Sequence, residues 1–181
     1  MSQLDFQSAL TRLLSDSPLR ARFVAAPCRV AEELAADPAD ATALAAICPE
    51  ELARQAEALL RKRQSQVAEI IPRTWKQAGT AAIGLFREYA EQSAWPTGHL
   101  RHFLDAASFC QFLKSRTPDL PVAAEHRWSS FVAEGRRLTV RLDFRLPVGN
   151  RTAWGVQLLY RNIHGVPRQM TFSISGHSPG C

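Results

Sequence analysis

Apolar residues recur at helical spacing through the first two thirds of the chain and at strand spacing in the last third. Leu4, Phe6, Leu10, Leu13 and Leu14 give a first helix that stops around Ser15–Pro18. A short helix is expected over Leu19–Val24, and another after Pro27 with Val30 and Leu34 on its apolar side. Asp37-Pro38 is a start signal, because the aspartate can cap exposed amides and proline is tolerated where no N–H is needed. Pro49-Glu50-Glu51 opens a long helix from about Glu50 to Ile70, with two acids at the positive end of its dipole. Pro72 interrupts it, Trp75 to Gln92 resumes the period, and Trp95-Pro96-Thr97-Gly98 reads as a turn. A last helix is expected over His99–Lys114, carried by Phe103, Ala106, Phe109, Cys110 and Leu113.

Ser115 to Ala124 has two prolines and no period, so it reads as a linker between a helical domain, 1–114, and a β domain, 125–181. Four strands are predicted in the latter: His126–Ala133, Leu138–Leu146, Ala153–Arg161 and Gln169–Ser175. Short turns between them imply an antiparallel meander. The expected fold is therefore α+β, an N-terminal helical bundle followed by a small C-terminal antiparallel sheet. Along the second strand Leu138, Val140, Leu142, Phe144 and Leu146 share one side. Arg137, Thr139, Arg141, Asp143 and Arg145 share the other.

Charge sharpens this picture. Residues 1–124 are neutral in sum, whereas 125–181 hold eight arginines, no lysine and three acids (Glu125, Glu134 and Asp143), a balance of +5. Arginine forks match carboxylates and phosphates in bidentate geometry, so an acidic partner is implied. Three consecutive basic residues, Arg61-Lys62-Arg63, cannot share a helix face and read as solvated. No apolar run approaches the ~20 residues that cross a bilayer. The first residues also lack a basic stretch followed by an apolar one, so a cytoplasmic protein is expected. Cys28, Cys48, Cys110 and Cys181 are scattered, which favours buried free thiols over disulfides or zinc.

Candidate chemistry is sparse. His99, His102 and Asp105 stand at i, i+3 and i+6 of a predicted helix, yet no second segment completes a metal shell, and surface or partner contacts are favoured. There is no GxSxG, no Gly-rich phosphate loop and no cysteine in a catalytic context, so no catalytic set is assigned. A sheet edge with unpaired backbone groups can accept a further strand, and an arginine-rich face beside it would favour Asp and Glu in that strand.

Two stretches resemble a known family. These are LLRKRQSQVAEIIPRTWKQAGTAAIGLFREYAEQS, residues 59–93, and PTGHLRHFLDAASFCQFL at 96–113. Both look like the helical part of small partner proteins encoded beside multinuclear non-heme iron oxygenases, pairs that modify ribosomally made peptides in methanobactin and 3-thiaglutamate biosynthesis. The resemblance implies an accessory subunit that is not itself an enzyme and carries no cofactor, the iron residing in a TIM-barrel partner bound as a heterodimer. It also implies recruitment of a precursor's leader, added as a strand to the C-terminal sheet, with the 3-thiaglutamate type nearer than the methanobactin type. Candidate peptide contacts are Arg137, Arg141, Arg145 and Arg161. Candidate contacts to the oxygenase are Arg87, Tyr89, Arg101, His102 and Asp105, polar residues of the recognisable helices. The alternative from another class is a nucleic-acid-binding regulator using its arginine-rich sheet. It is disfavoured because the helices are neutral in sum and no exposed aromatics interleave the arginines.

Overall fold

The structure, a computed structural model, describes residues 4–118, 120, 122–148 and 151–174, and of 143–148, 151–154 and 173–174 the backbone alone. Among these residues nine helices precede a three-stranded antiparallel sheet, so the fold is α+β with the helices first. The helices are α1 (Phe6–Ser15), α2 (Ser17–Ala25), α3 (Pro27–Leu34), α4 (Pro38–Ala45), α5 (Pro49–Ile70), α6 (Pro72–Ala78), α7 (Ala81–Gln92), α8 (Arg101–Arg116) and α9 (Ala123–Ala133). The strands are β1 (Leu138–Val148), β2 (Arg151–Arg161) and β3 (Pro167–Ile174), adjacent in that order. No described helix is long and apolar enough to cross a membrane.

Local chemistry explains the helix boundaries. Asp5, Asp16 and Asp37 each accept a backbone N–H at the start of α1, α2 and α4, from Ser8, Leu19 and Ala39 respectively. Prolines occupy the first turns of α2, α3, α4 and α6, where their missing N–H costs nothing. The period read as one helix from Trp75 to Gln92 is broken at Gly79, which closes α6 with φ +59°, a conformation that a side chain resists.

The chain divides into two compact units, one built from the residues up to Ser65 with Phe86–Trp95, the other from Gln66–Leu85 with the residues from Pro96 on. The boundary expected at 115–124 thus falls inside the second unit. In the first unit Ala9, Leu13, Leu19, Phe23, Val30, Leu34, Leu44 and Leu52 form the core. Leu4 is clipped beside Ala35 by two backbone bonds of 2.9 Å, Leu4 N–H to Leu34 C=O and Ala36 N–H to Leu4 C=O. Arg63, expected to be solvated, is only 4% exposed. Its guanidinium lies 5.3–5.9 Å from the ring centres of Phe86, Tyr89 and Trp95, so aromatic faces take the place of water.

In the second unit α8 packs against α9, and α9 against one face of the sheet through Phe131, Val132 and Leu159. The Glu125 carboxylate accepts the Arg73 and Thr74 N–H groups at 2.9 and 2.7 Å, capping α6 from α9. Residues 126–133, expected as a strand, are therefore helix, and the meander has three strands instead of four. The spacing of Trp128, Phe131 and Val132 puts them on one helical side, where they meet the cluster that contains Leu159. Cys110 is buried, and burial pushes its thiol up to about 12. Cys28 and Cys48 are exposed free thiols, contrary to expectation, and Cys181 lies outside the described residues.

Candidate functional site

The sheet register decides which side chains share a face. Leu138, Val140 and Leu142 of β1 pair with Tyr160, Leu158 and Val156 of β2, which pair in turn with Arg168, Met170 and Phe172 of β3. Three cross-strand rows result, and eight of their nine side chains are apolar or aromatic. This face is open: Leu138 is 61% exposed, Val140 56%, Leu142 70%, Met170 43% and Phe172 49%. The opposite face carries Thr139 and Arg141 on β1 with Gln157 and Leu159 on β2, and it is this more polar side that α9 covers.

Gln157 organises that covered side. Buried beneath α9, it donates from Nε2 to the Ala124 carbonyl at 3.1 Å and accepts at Oε1 from Arg127 Nε at 2.6 Å. Arg127 is thereby held along the edge of a groove of about 210 Å³ between α9 and β1. The groove is lined by His126, Arg127, Ser130 and Phe131 of α9, Glu134 and Arg136 of the following turn, and Thr139 and Arg141 of β1. Glu134 and Arg136 form an ion pair, and Arg127 and Arg141 bring two further guanidinium groups to the lining. His126 is held below its ordinary pKa first by burial, then by the cations of Lys114 and Arg127, with Glu134 opposing.

The candidate peptide contacts are not equivalent. Arg141 is exposed and lines the groove. Arg137 is exposed at the entry to β1 and accepts at its carbonyl from Arg161 N–H at 2.9 Å. The Arg161 side chain donates to three carbonyls of its own chain, Arg136 at 3.1 Å, Gly165 at 2.9 Å and Val132 at 3.1 Å, and lies over the Phe131 ring. It is a clamp between α9 and the sheet, with each of its three guanidinium nitrogens donating within the chain. The register of β1 on β2 shifts between Asp143 and Leu146, which ends the alternation before Arg145. The Arg145 side chain lies outside the described residues. Sequence reasoning missed Arg127 because its segment reads as a strand by residue type; Glu125 in the first turn of α9 and the helical spacing after it were the available signals. Arg136, in the turn after α9, carries no such signal.

The candidate oxygenase contacts also divide. Arg87 is exposed in the first unit and ion-paired to Glu57, and Arg101 is exposed in the second. His102 is half-buried and accepts from Arg101 Nε at 3.3 Å. Tyr89 and Asp105 are buried and serve the interior, so they cannot touch a partner from these positions. His99 precedes α8, so the helical spacing supposed for His99, His102 and Asp105 does not exist. Among the described residues no group of three or more His, Cys, Asp or Glu is placed to hold a metal ion.

A second cleft of about 210 Å³, in the first unit, includes Arg20, Glu57, Arg63, Arg87 and Trp95. Its arginines are engaged within the unit, Arg20 donating to the Leu13 and Leu14 carbonyls at 3.2 and 2.7 Å and Arg87 pairing with Glu57. No family model, curated protein or solved structure matches the chain.

Proposed function

We propose that this chain is a non-catalytic accessory subunit working in the cytoplasm. It binds the leader of a ribosomally made precursor peptide and presents it to a TIM-barrel multinuclear non-heme iron oxygenase, of the 3-thiaglutamate type before the methanobactin type. The oxygenase holds the iron, and this chain supplies recognition. The observation that carries the reading is the outer edge of β1, with which no described strand pairs, beside a groove with Arg127, Arg136 and Arg141. An edge strand offers backbone hydrogen bonds to any extended peptide, and the arginines select among peptides by charge. Arg87 and Arg101 remain candidate contacts to the oxygenase, with His102 beside Arg101.

The test is co-purification with the oxygenase encoded beside it, then titration of the complex with the precursor's leader. A one-to-one complex whose leader affinity falls at least tenfold on Arg141→Glu is the expected result. Absence of both complex and leader binding overturns the reading. Binding of a generic DNA duplex with steep salt dependence would transfer the arginines to the nucleic-acid reading instead.

A further inference from the structure

The phase of the β1–β2 ladder fixes what an added strand would meet. The Arg161 N–H donates to the Arg137 carbonyl, so by the alternation of antiparallel pairing Arg137, Thr139 and Arg141 turn their backbone groups toward β2. Leu138, Val140 and Leu142 turn theirs to the outer edge, where no described strand pairs with them. A peptide bonded there would lie about 4.8 Å away, with its side chains pointing alternately to the two faces. Residues in line with Leu138, Val140 and Leu142 continue the three apolar rows. Residues in line with Thr139 and Arg141 point to the side of α9, toward Arg127, Arg136 and Arg141, with His126 alongside. Among the described residues the carboxylate lining this groove is Glu134, and it is held by Arg136.

Resting on the peptide-recruiting reading, we infer that the ligand of this edge is an extended segment in which acidic and apolar side chains alternate. About five residues of it match the stretch Leu138–Leu142 that precedes the register shift. Charge excludes the obvious competitor, a second copy pairing β1 to β1. Such a pair centred on Val140 would set Arg141 of one copy against Thr139 of the other. Two arginine-lined grooves would then abut, and Glu134, the carboxylate of each among the described residues, is already held by Arg136.

The experiment is fluorescence anisotropy of labelled nonapeptides with the full chain. The probes are an alternating Val/Glu peptide, a peptide of the same composition with valines and glutamates in two blocks, and an alternating Val/Lys peptide. The alternating Val/Glu probe is expected to bind at least tenfold tighter than the blocked one, and the Val/Lys probe not to bind measurably. Arg141→Glu should weaken the first probe at least tenfold. Val140→Pro, which removes an outward N–H, should abolish binding. Thr171→Pro, on the outer edge of β3, should leave it unchanged. Circular dichroism checks each fold, and Arg141→Glu, a change at an exposed side chain, decides if a proline variant unfolds. Equal binding of alternating and blocked probes overturns the alternation, as does tighter binding of Val/Lys or no binding of any probe. The natural leader separates the two levels. If it binds the oxygenase complex while the alternating probe fails, only this inference falls; if neither binds, the recruiting reading falls with it.

Discussion

Arg161 and Arg141 differ in what the surrounding backbone offers them. The Arg161 guanidinium bridges the end of α9, the turn before β1 and the β2–β3 turn through the carbonyls of Val132, Arg136 and Gly165. Replacing it with methionine keeps most of its stem but strands those carbonyls and removes the cation over Phe131. Arg161→Met should lower the unfolding free energy by about 1–3 kcal/mol in urea titration. Arg141→Met, at an exposed side chain, should change it by less than about 0.5 kcal/mol. Equal effects would show that Arg161 is not a clamp. No sequence pattern separates these two residues, since both are arginines on predicted strands and two of the three carbonyls, those of Val132 and Arg136, lie 29 and 25 residues away. Arg63 is a similar case. The charge run around it was legible, but the Phe86, Tyr89 and Trp95 rings that accept its cation lie 23 or more residues away.

Helix α9 links α6 to the sheet, and its titratable residues make that link measurable. Glu125 accepts two N–H groups at the start of α6, so Glu125→Ala should cost about 1–2 kcal/mol, and Glu125→Gln, which keeps one acceptor oxygen, less than that. A linkage effect is expected one residue later. Burial and the neighbouring Lys114 and Arg127 hold the His126 imidazole below its ordinary value of 6.5, so the unfolded chain binds the proton more readily. The stabilisation is fully present above about pH 6.5 and is lost as the pH falls through the lower folded value. The urea midpoint should therefore drop between pH 7.5 and 5.5, and drop less in His126→Gln; identical slopes would refute the assignment. Helices α6 and α7 read as one because Gly79 interrupts an otherwise continuous period, whereas α1 to α5 were legible because aspartate caps and prolines mark their starts. Helix α9 was not, because Trp128, Phe131 and Val132 favour strands by type and only their spacing favours a helix.

The arginine excess of the last third looks uniform in sequence and is not so in three dimensions. Arg161 is engaged internally, Arg127 and Arg141 line the groove, Arg136 pairs with Glu134 there, and Arg168 stands at a corner of the apolar rows. Alternation along β1 showed that one side was apolar and the other basic. Which side a helix would cover depends on Gln157 and Leu159 of β2, and β1 alone could not reveal it. An open sheet face with Leu138, Val140, Leu142, Met170 and Phe172 at its surface has a consequence for the isolated chain. Side chains that solvent already reaches contribute little to folding, whereas excluded salts such as sulfate act strongly on exposed apolar area. The double substitution Leu142→Lys with Phe172→Lys should therefore cost no more than about 1 kcal/mol per site, the size of a lost cross-strand pair. It should also raise the ammonium sulfate concentration at which the chain precipitates and reduce its binding of an apolar dye. A loss of several kcal/mol with unchanged precipitation would mean that the face is covered in solution, and the apolar half of the peptide pattern would then have nothing to continue.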